Sequence, residues 1–93
     1  MSKSIISNDR VCWVCGTPLD LHRHHVYGGP NRGLSEAMGC WVYLCARHHN
    51  MSNEGVHFNH DLDVLLKKQT QRRWEEIYGD TEKFRIIFGK SYL

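Results

Sequence analysis

The sequence has no hydrophobic run long enough to cross a bilayer, which takes about 20 residues. Its longest apolar stretch, from Cys40 to Ala46, predicts one buried strand instead. Residues 1–10 contain no apolar core of a secretory signal peptide. We therefore expect no membrane partner and a cytoplasmic location, where cysteines are more often metal ligands than disulfides.

A strong charge of one sign is also missing, and so are internal repeats, low-complexity tracts and linkers. The formal net charge is +2, which by itself is only a weak indication of nucleic-acid binding. At 93 residues the chain is predicted to form a single domain, residues 1–93. A domain this small buries a limited share of its surface, so a bound metal would be a useful source of stability.

What the chain has in excess is metal-binding side chains, with seven histidines and four cysteines. Two short-spaced pairs have the spacing of a tetrahedral zinc site. The predicted ligands of this structural Zn²⁺ are Cys12, Cys15, Cys45 and His48. His22 is the main competitor for the fourth position, and the alternative is that these cysteines are ordinary buried thiols. Cys40 has no partner at ligand spacing and is predicted to be a core thiol.

A second, open metal site is predicted from the adjacent residues His24 and His25 together with His49, which directly follows the zinc-type pair. His24 and His49 would bind a divalent cation, which neutralises charge on a phosphodiester. His25 would act as the general base, because the pKa of an imidazole lies near neutral pH. The alternative is a histidine-rich chain that binds a single metal ion.

The third ligand of this open site is predicted to be His57, with Asn53 as the alternative. Asn53 lies four residues after His49 and would stack over it if the segment were helical. The composition of residues 50–55 is poor in helix formers, which favours a fold-back that brings His57 to the site. His57 could instead be a capping or buried histidine at the start of the next helix.

The histidine-bearing segment Leu19 to Tyr27 is predicted to be a strand, and Gly39 to Leu44 a second, apolar strand. The run Gly28 to Gly33 between them is typical of a loop. A hairpin with a long loop is therefore expected after a knuckle formed around Val11 to Gly16.

A long helix is predicted to begin near Asn59 or Asp61, either of which could cap it, and to end at Gly79. Asp80 can cap a last short helix. Residues on the predicted inward faces are Leu62, Leu66, Thr70, Trp74, Ile77, Tyr78, Phe84, Ile87 and Phe88. The opposite face of the long helix would carry Lys67, Lys68, Gln71, Arg72 and Glu75. Arg73 falls on the apolar stripe, which the pattern does not explain.

These motifs resemble the HNH, or ββα-metal, nuclease superfamily. His24-His25 is similar to the family's metal ligand followed by its general base, and Cys45-Ala46-Arg47-His48-His49 to its Cys-x-x-Cys-His, with His48 in place of the second cysteine. The resemblance covers Cys12 to His57. It implies an α+β fold with a small ββα-metal core, made of a zinc knuckle, a hairpin and a helix, followed by C-terminal helices.

The resemblance also implies a metal-dependent DNA endonuclease that leaves 5′-phosphate and 3′-hydroxyl ends. The catalytic cofactor would be a divalent cation, Mn²⁺, Ni²⁺, Co²⁺ or Mg²⁺, beside the structural Zn²⁺. Residues that could contact DNA phosphates are Arg32, Lys67, Lys68 and Arg72. For the lysines, a solvated helix face explains the charge about as well.

More narrowly, the chain looks like small phage and prophage nucleases of the recombination-enhancement branch. This likeness implies a bacterial host cytoplasm as the location, and a recombinase filament or other phage DNA-processing proteins as partners.

Two departures from the family pattern bear on individual residues. Cys40 occupies the place of the family's middle asparagine, which orients the base, and Asn31 lies too far into the loop to replace it. The family's last ligand normally follows the first helix histidine by four positions, and here that residue is Asn53.

Two other functions are compatible with the sequence. A non-catalytic zinc module that docks DNA or a protein accounts for the cysteines but gives His24, His25 and His49 no role. A phage regulator could keep the fold and lack activity.

Overall fold

The computed structural model describes residues 3–51 and 59–93. Within these residues, the elements in chain order are β1 (Leu21–His25), α1 (Arg32–Met38), β2 (Trp41–Cys45), α2 (His60–Ile77) and α3 (Thr81–Phe88). A short 3₁₀ turn, Gly29–Asn31, precedes α1, and a π-helical turn, Arg47–Met51, follows β2. The expected fold class is confirmed, because an antiparallel hairpin and helices form a small α+β structure with a metal-type cluster, consistent with a ββα-metal-like core.

The hairpin determines which histidines share a face. Its register pairs Leu21 with Cys45, His22 with Leu44, Arg23 with Tyr43, His24 with Val42 and His25 with Trp41. Because side chains alternate along a strand, His22 and His24 lie on one face and Arg23 and His25 on the other. Both strands are shorter than the sequence predicted.

The connection between the strands is not the plain loop that the sequence predicted. The glycine-rich run does form a turn, but residues Arg32–Met38 then form α1. This helix ends at Gly39, which has a φ of +77°. A Cβ atom added to Gly39 would lie 2.3 Å from the backbone oxygen of Lys3, so only glycine fits this close approach.

Hydrogen bonds attach the N-terminal segment to β2, to Gly39 and to α2. The Ser4 hydroxyl donates to the Trp41 carbonyl at 2.6 Å, and the Ile5 amide donates to the Gly39 carbonyl at 2.9 Å. The Arg73 guanidinium donates to the Ile5 carbonyl at 3.1 Å. This last contact explains a charged residue on an otherwise apolar stripe.

Both C-terminal helices begin where the sequence predicts. Asn59 caps α2 by accepting a hydrogen bond from the Leu62 amide at 3.0 Å, and Asp80 caps α3 by accepting from the Lys83 amide at 2.9 Å. No helix in the described ranges is both long and apolar enough to cross a membrane.

The core lies between the hairpin and the two C-terminal helices. Its fully buried side chains include Tyr27, Leu44, Leu66, Trp74 and Phe84. The aromatic rings of Tyr27, Trp74 and Phe84 meet edge to face at centroid distances of 5.3 Å.

The predicted faces of α2 are partly wrong. Ile77 and Tyr78 are 45% and 37% exposed, at the point where α2 ends. Gln71, predicted on the polar face, is fully buried. Its side chain accepts a hydrogen bond from the Tyr92 amide at 2.7 Å, which ties the C-terminal residues to α2.

Candidate metal centre and histidine cavity

The predicted zinc ligands come together at the base of the hairpin. Cys12 and Cys15 lie in a turn before β1, Cys45 ends β2, and His48 lies in the π-helical turn after it. One ligand atom from each lies within 4.8 Å of the other three. Among the described residues this Cys₃His group could hold a metal ion such as zinc.

The distances within the group fit a tetrahedral zinc ion. With bonds of about 2.3 Å to sulfur and about 2.0 Å to nitrogen, a tetrahedral site has sulfur–sulfur edges of about 3.8 Å and sulfur–nitrogen edges of about 3.5 Å. The Cys15 and Cys45 Sγ atoms are 3.8 Å apart. His48 Nδ1 lies 3.3 Å from Cys45 Sγ and 3.8 Å from Cys12 Sγ. All four cysteines are free thiols, so no disulfide competes for these sulfurs.

Main-chain hydrogen bonds shape the knuckle that carries the first two ligands. The Gly16 amide donates to the Cys12 carbonyl at 2.8 Å, and Gly16 itself has a φ of +79°. The Trp13 amide donates to the Tyr43 carbonyl at 2.8 Å, which attaches the knuckle to β2. These hydrogen bonds hold the knuckle against the hairpin and so place Cys12 and Cys15 beside Cys45.

The electrostatics around Cys12 favour its thiolate form. Burial acts to raise the pKa of Cys12, but backbone N–H groups of Cys45, Cys15 and Val14 outweigh it and lower the pKa from 9.0 to about 6. Burial raises the pKa of Cys40 to about 12. Burial, followed by the neighbouring Cys12 and Cys15 thiols, also raises the pKa of Cys45, so the lowered pKa supports Cys12 as a ligand while the assignment of Cys45 depends on its position in the Cys₃His group.

The face of the hairpin that carries His22 and His24 meets His49 from the turn after β2. The His24 and His49 ring centroids are 5.4 Å apart. The His22 and His49 Nδ1 atoms are 3.0 Å apart, with ring centroids at 5.1 Å. His49 lies next to the Cys₃His ligand His48 in the chain, so a metal at that group would also fix the His49 backbone.

A cavity of about 260 Å³ brings His25 together with two of these histidines. It is lined by Arg23, His24, His25, Gly28, Arg32 and His49. We call it the histidine cavity. Arg23 and Arg32 make its surroundings cationic, which suits a phosphate group.

The Glu36 side chain of α1 lies beside the His25 imidazole. Its Oε1 atom lies 3.6 Å from His25 Nε2. Both carboxylate oxygens of Glu36 accept from Arg23 Nη1, at 2.8 Å and 3.0 Å. The Arg23 guanidinium carbon lies 3.8 Å from the centroid of the Trp41 ring. These contacts form a chain from Trp41 through Arg23 and Glu36 to His25.

The charge state of Glu36 follows from the same contacts. Desolvation acts to raise the pKa of Glu36, but hydrogen bonds and charge from Arg23, with a further contribution from His25, lower it below its usual value. The ionised Glu36 carboxylate therefore lies next to the His25 ring, 3.6 Å from its Nε2 atom.

Sequence reasoning missed Glu36 as a partner of His25. The residue lies in α1, where the sequence predicts a loop, and its contact with Arg23 spans 13 positions. Asn31, considered for the missing asparagine, donates through Nδ2 to the Phe88 carbonyl at 2.9 Å and so ties the turn to α3.

The remaining predicted site residues are the DNA contacts and the third ligand of the open metal site. Lys67 forms an ion pair with Asp63 at 2.8 Å within α2, Lys68 is half-buried on the same helix, and Arg72 is exposed. None of these three lines the histidine cavity, whereas Arg32 does. His57 and its alternative Asn53 lie outside the described residues.

Comparison with protein-family models, with curated proteins and with solved structures finds no match to this chain. The function is therefore inferred from the site itself.

Proposed function

We propose that this protein is a metal-dependent DNA endonuclease that hydrolyses phosphodiester bonds in the histidine cavity. The observation that supports this most is the convergence of His24, His25 and His49 with Arg32 in one cavity, directly beside a zinc-type Cys₃His group. The HNH resemblance of the same residues adds to it. A plasmid-nicking assay with several divalent ions tests the proposal, and it fails if no ion supports cleavage above a metal-free control.

His25 is the general base in this proposal. Its imidazole would take a proton from water as the water oxygen bonds to phosphorus. The bond from phosphorus to the 3′ oxygen breaks, and that oxygen takes a proton from solvent. The products are a 5′-phosphate and a 3′-hydroxyl end. Glu36 stabilises the imidazolium that forms, in the way a carboxylate supports histidine in other hydrolases.

His24 and His49 would hold the divalent cation, with His57 as the third ligand that the sequence favours. His22 offers another imidazole, because its Nδ1 lies 3.0 Å from His49 Nδ1. Ligand nitrogens on one metal ion are about this far apart, given bonds of about 2.1 Å. A cation bound there supplies charge neutralisation at the phosphate and at the departing oxygen.

Arg32 would contact the phosphate from the cavity wall, and Lys67, Lys68 and Arg72 are proposed as contacts farther along the DNA. Such contacts position a duplex without reading its sequence. Phage origin and a recombinase filament as partner follow only from the narrower resemblance. Repeating the nicking assay on DNA coated by a recombinase would test that point, since the likeness implies faster cleavage of coated DNA.

A non-catalytic zinc module that docks DNA or a protein is the second candidate. The Cys₃His geometry is equally compatible with it. Metal stoichiometry separates the two functions, because the module needs one zinc per chain and the enzyme a second, exchangeable divalent ion.

Replacing Glu36 by glutamine is expected to lower the cleavage rate about 10-fold to 100-fold, as is typical when the partner of a site histidine is lost. The fall should be in kcat, with KM for DNA little changed, because Glu36 contacts His25 and not substrate. Glu82→Gln, in an exposed pair with Arg85 on α3, is the matched control and should cut at the wild-type rate. Equal rates for Glu36→Gln and wild type would contradict a positioning role.

Cleavage is expected to be faster with Mn²⁺, Co²⁺ or Ni²⁺ than with Mg²⁺ at equal concentration. A site of imidazole nitrogens suits these ions, whereas Mg²⁺ prefers oxygen ligands and releases its waters reluctantly. The measurement is the initial nicking rate against ion identity at fixed pH and salt. Highest activity with Mg²⁺ would argue against three histidine ligands and would favour Asn53 or Glu54.

A further inference from the structure

A second cavity shares Arg23 with the histidine cavity. It has a volume of about 540 Å³ and lies between the N-terminal segment and the hairpin. The residues of its wall that matter here are Lys3, Asp9, Arg10, Arg23, Trp41 and Tyr43. We call it the basic cavity. None of the residues proposed above as DNA contacts belongs to it.

The charge of this wall is mainly positive. It carries the cations Lys3, Arg10 and Arg23 against one carboxylate, Asp9. Arg23 is partly neutralised by Glu36, so Lys3 and Arg10 supply most of the positive charge. Both are exposed, so a ligand can reach them. A phosphate group is the ligand chemistry that complements such a wall.

The two arginines are also held on aromatic rings. The guanidinium carbon of Arg10 lies 5.6 Å from the Tyr43 ring centroid, and that of Arg23 lies 3.8 Å from the Trp41 ring. Cation–π contact of this kind restrains the guanidinium plane. Unpaired bases stack both on aromatic rings and on arginine planes. The wall therefore offers a base-stacking surface beside its phosphate-binding charges.

We propose that the basic cavity binds one unpaired nucleotide of a DNA strand. Arg10 and Lys3 contact its phosphate, and its base stacks on the Arg10–Tyr43 pair. The inference deepens the proposed nuclease function, on which it rests for one point only, namely that the strand continues past Arg23 into the histidine cavity.

The dimensions favour a single nucleotide over a base pair. A volume of about 540 Å³ lies within the usual range for small-ligand sites and is ample for one nucleotide. A base pair brings two sugar–phosphate backbones on opposite sides, and its base faces are covered by neighbouring pairs. A base can stack on Arg10 and Tyr43 only if it has left the duplex.

The test is oligonucleotide binding, measured in the zinc-loaded His25→Ala protein so that cleavage does not interfere. The probe is a fluorescein-labelled oligothymidine of about 12 nucleotides, followed by fluorescence anisotropy, against the same strand annealed to its complement. Arg10→Gln is added to this protein, and Arg85→Gln, an exposed arginine on α3 that lines neither cavity, is the matched control. Circular dichroism confirms that each variant is folded.

We expect Arg10→Gln to weaken single-strand binding about tenfold, the size of losing one stacked base, and Arg85→Gln to change it less than about twofold. We also expect the single strand to bind more tightly than the duplex. Equal effects of the two substitutions, or equal binding of the two DNA forms, would overturn the inference.

The outcome for this cavity is separable from the outcome for the nuclease. If oligothymidine binds in an Arg10-dependent way while the wild-type protein nicks no plasmid with any ion, the nuclease proposal fails and the nucleotide site stands. If the wild-type protein nicks DNA but Arg10→Gln leaves single-strand binding unchanged, the nucleotide site fails and the nuclease stands.

Discussion

Replacing Cys15 by alanine is expected to unfold most of the protein, although Cys15 is exposed to solvent. Substitution of an exposed residue with no special contact usually changes stability by less than about 0.5 kcal/mol. Loss of a zinc ligand is different, because structural zinc contributes on the order of 10 kcal/mol to the folding of small domains. That is as large as the whole stability of an ordinary domain.

Cys40→Ala is the matched control for this experiment. Cys40 is fully buried but lies outside the Cys₃His group, so its loss should cost about 1 kcal/mol, as for removal of a small buried group. The measurements are urea unfolding followed by circular dichroism, and zinc content per chain. If the cysteines were only buried thiols, the order would reverse, with Cys40→Ala the more damaging change. Chelation that leaves the thermal melt unchanged would likewise contradict the zinc site.

His25→Ala is expected to lower the cleavage rate by about 10²-fold to 10⁴-fold, the usual contribution of a general base. The variant should still bind the catalytic ion, because His25 is proposed to contact water and not metal. His24→Ala should lose both cleavage and ion affinity. The rates come from single-turnover nicking, and the affinities from titration of Mn²⁺ followed by calorimetry.

His60→Ala serves as the control for these two variants. His60 is an exposed histidine at the start of α2, outside the histidine cavity, and its removal should leave both quantities unchanged. Near wild-type cutting by His25→Ala would show the base assignment to be wrong. Loss of ion binding in His25→Ala would make His25 a ligand instead.

Local sequence signals predicted much of the fold. The caps Asn59 and Asp80 fix the start of α2 and α3 through contacts three residues away, which a sequence pattern can reveal. The Cys-x-x-Cys and Cys-x-x-His spacings likewise predicted a ligand group that the structure brings together. Each of these inferences uses only contacts between residues close in sequence, or residues that a single hairpin brings together.

The sequence could not predict what depends on long-range packing. Helix α1 has seven residues, too few for a hydrophobic period to emerge beside a glycine-rich run. Glu36 lies beside His25 only because that helix packs against β1. The basic cavity likewise requires the N-terminal segment to lie against β2, through contacts that span more than 30 positions. Gln71 is buried because the last residues of the chain cover it, which helical periodicity does not encode.

The close approach at Gly39 has a consequence for where a strand would be cut. The backbone of Lys3 and Ile5 lies directly against this glycine, which ends the helix carrying Glu36. The segment that carries Lys3 of the basic cavity and the helix that carries Glu36 are therefore in direct contact, through the hydrogen bond from the Ile5 amide to the Gly39 carbonyl. If the two cavities hold and cut a strand as proposed, we expect a fixed offset, counted in nucleotides, between the position that is held and the position that is cut.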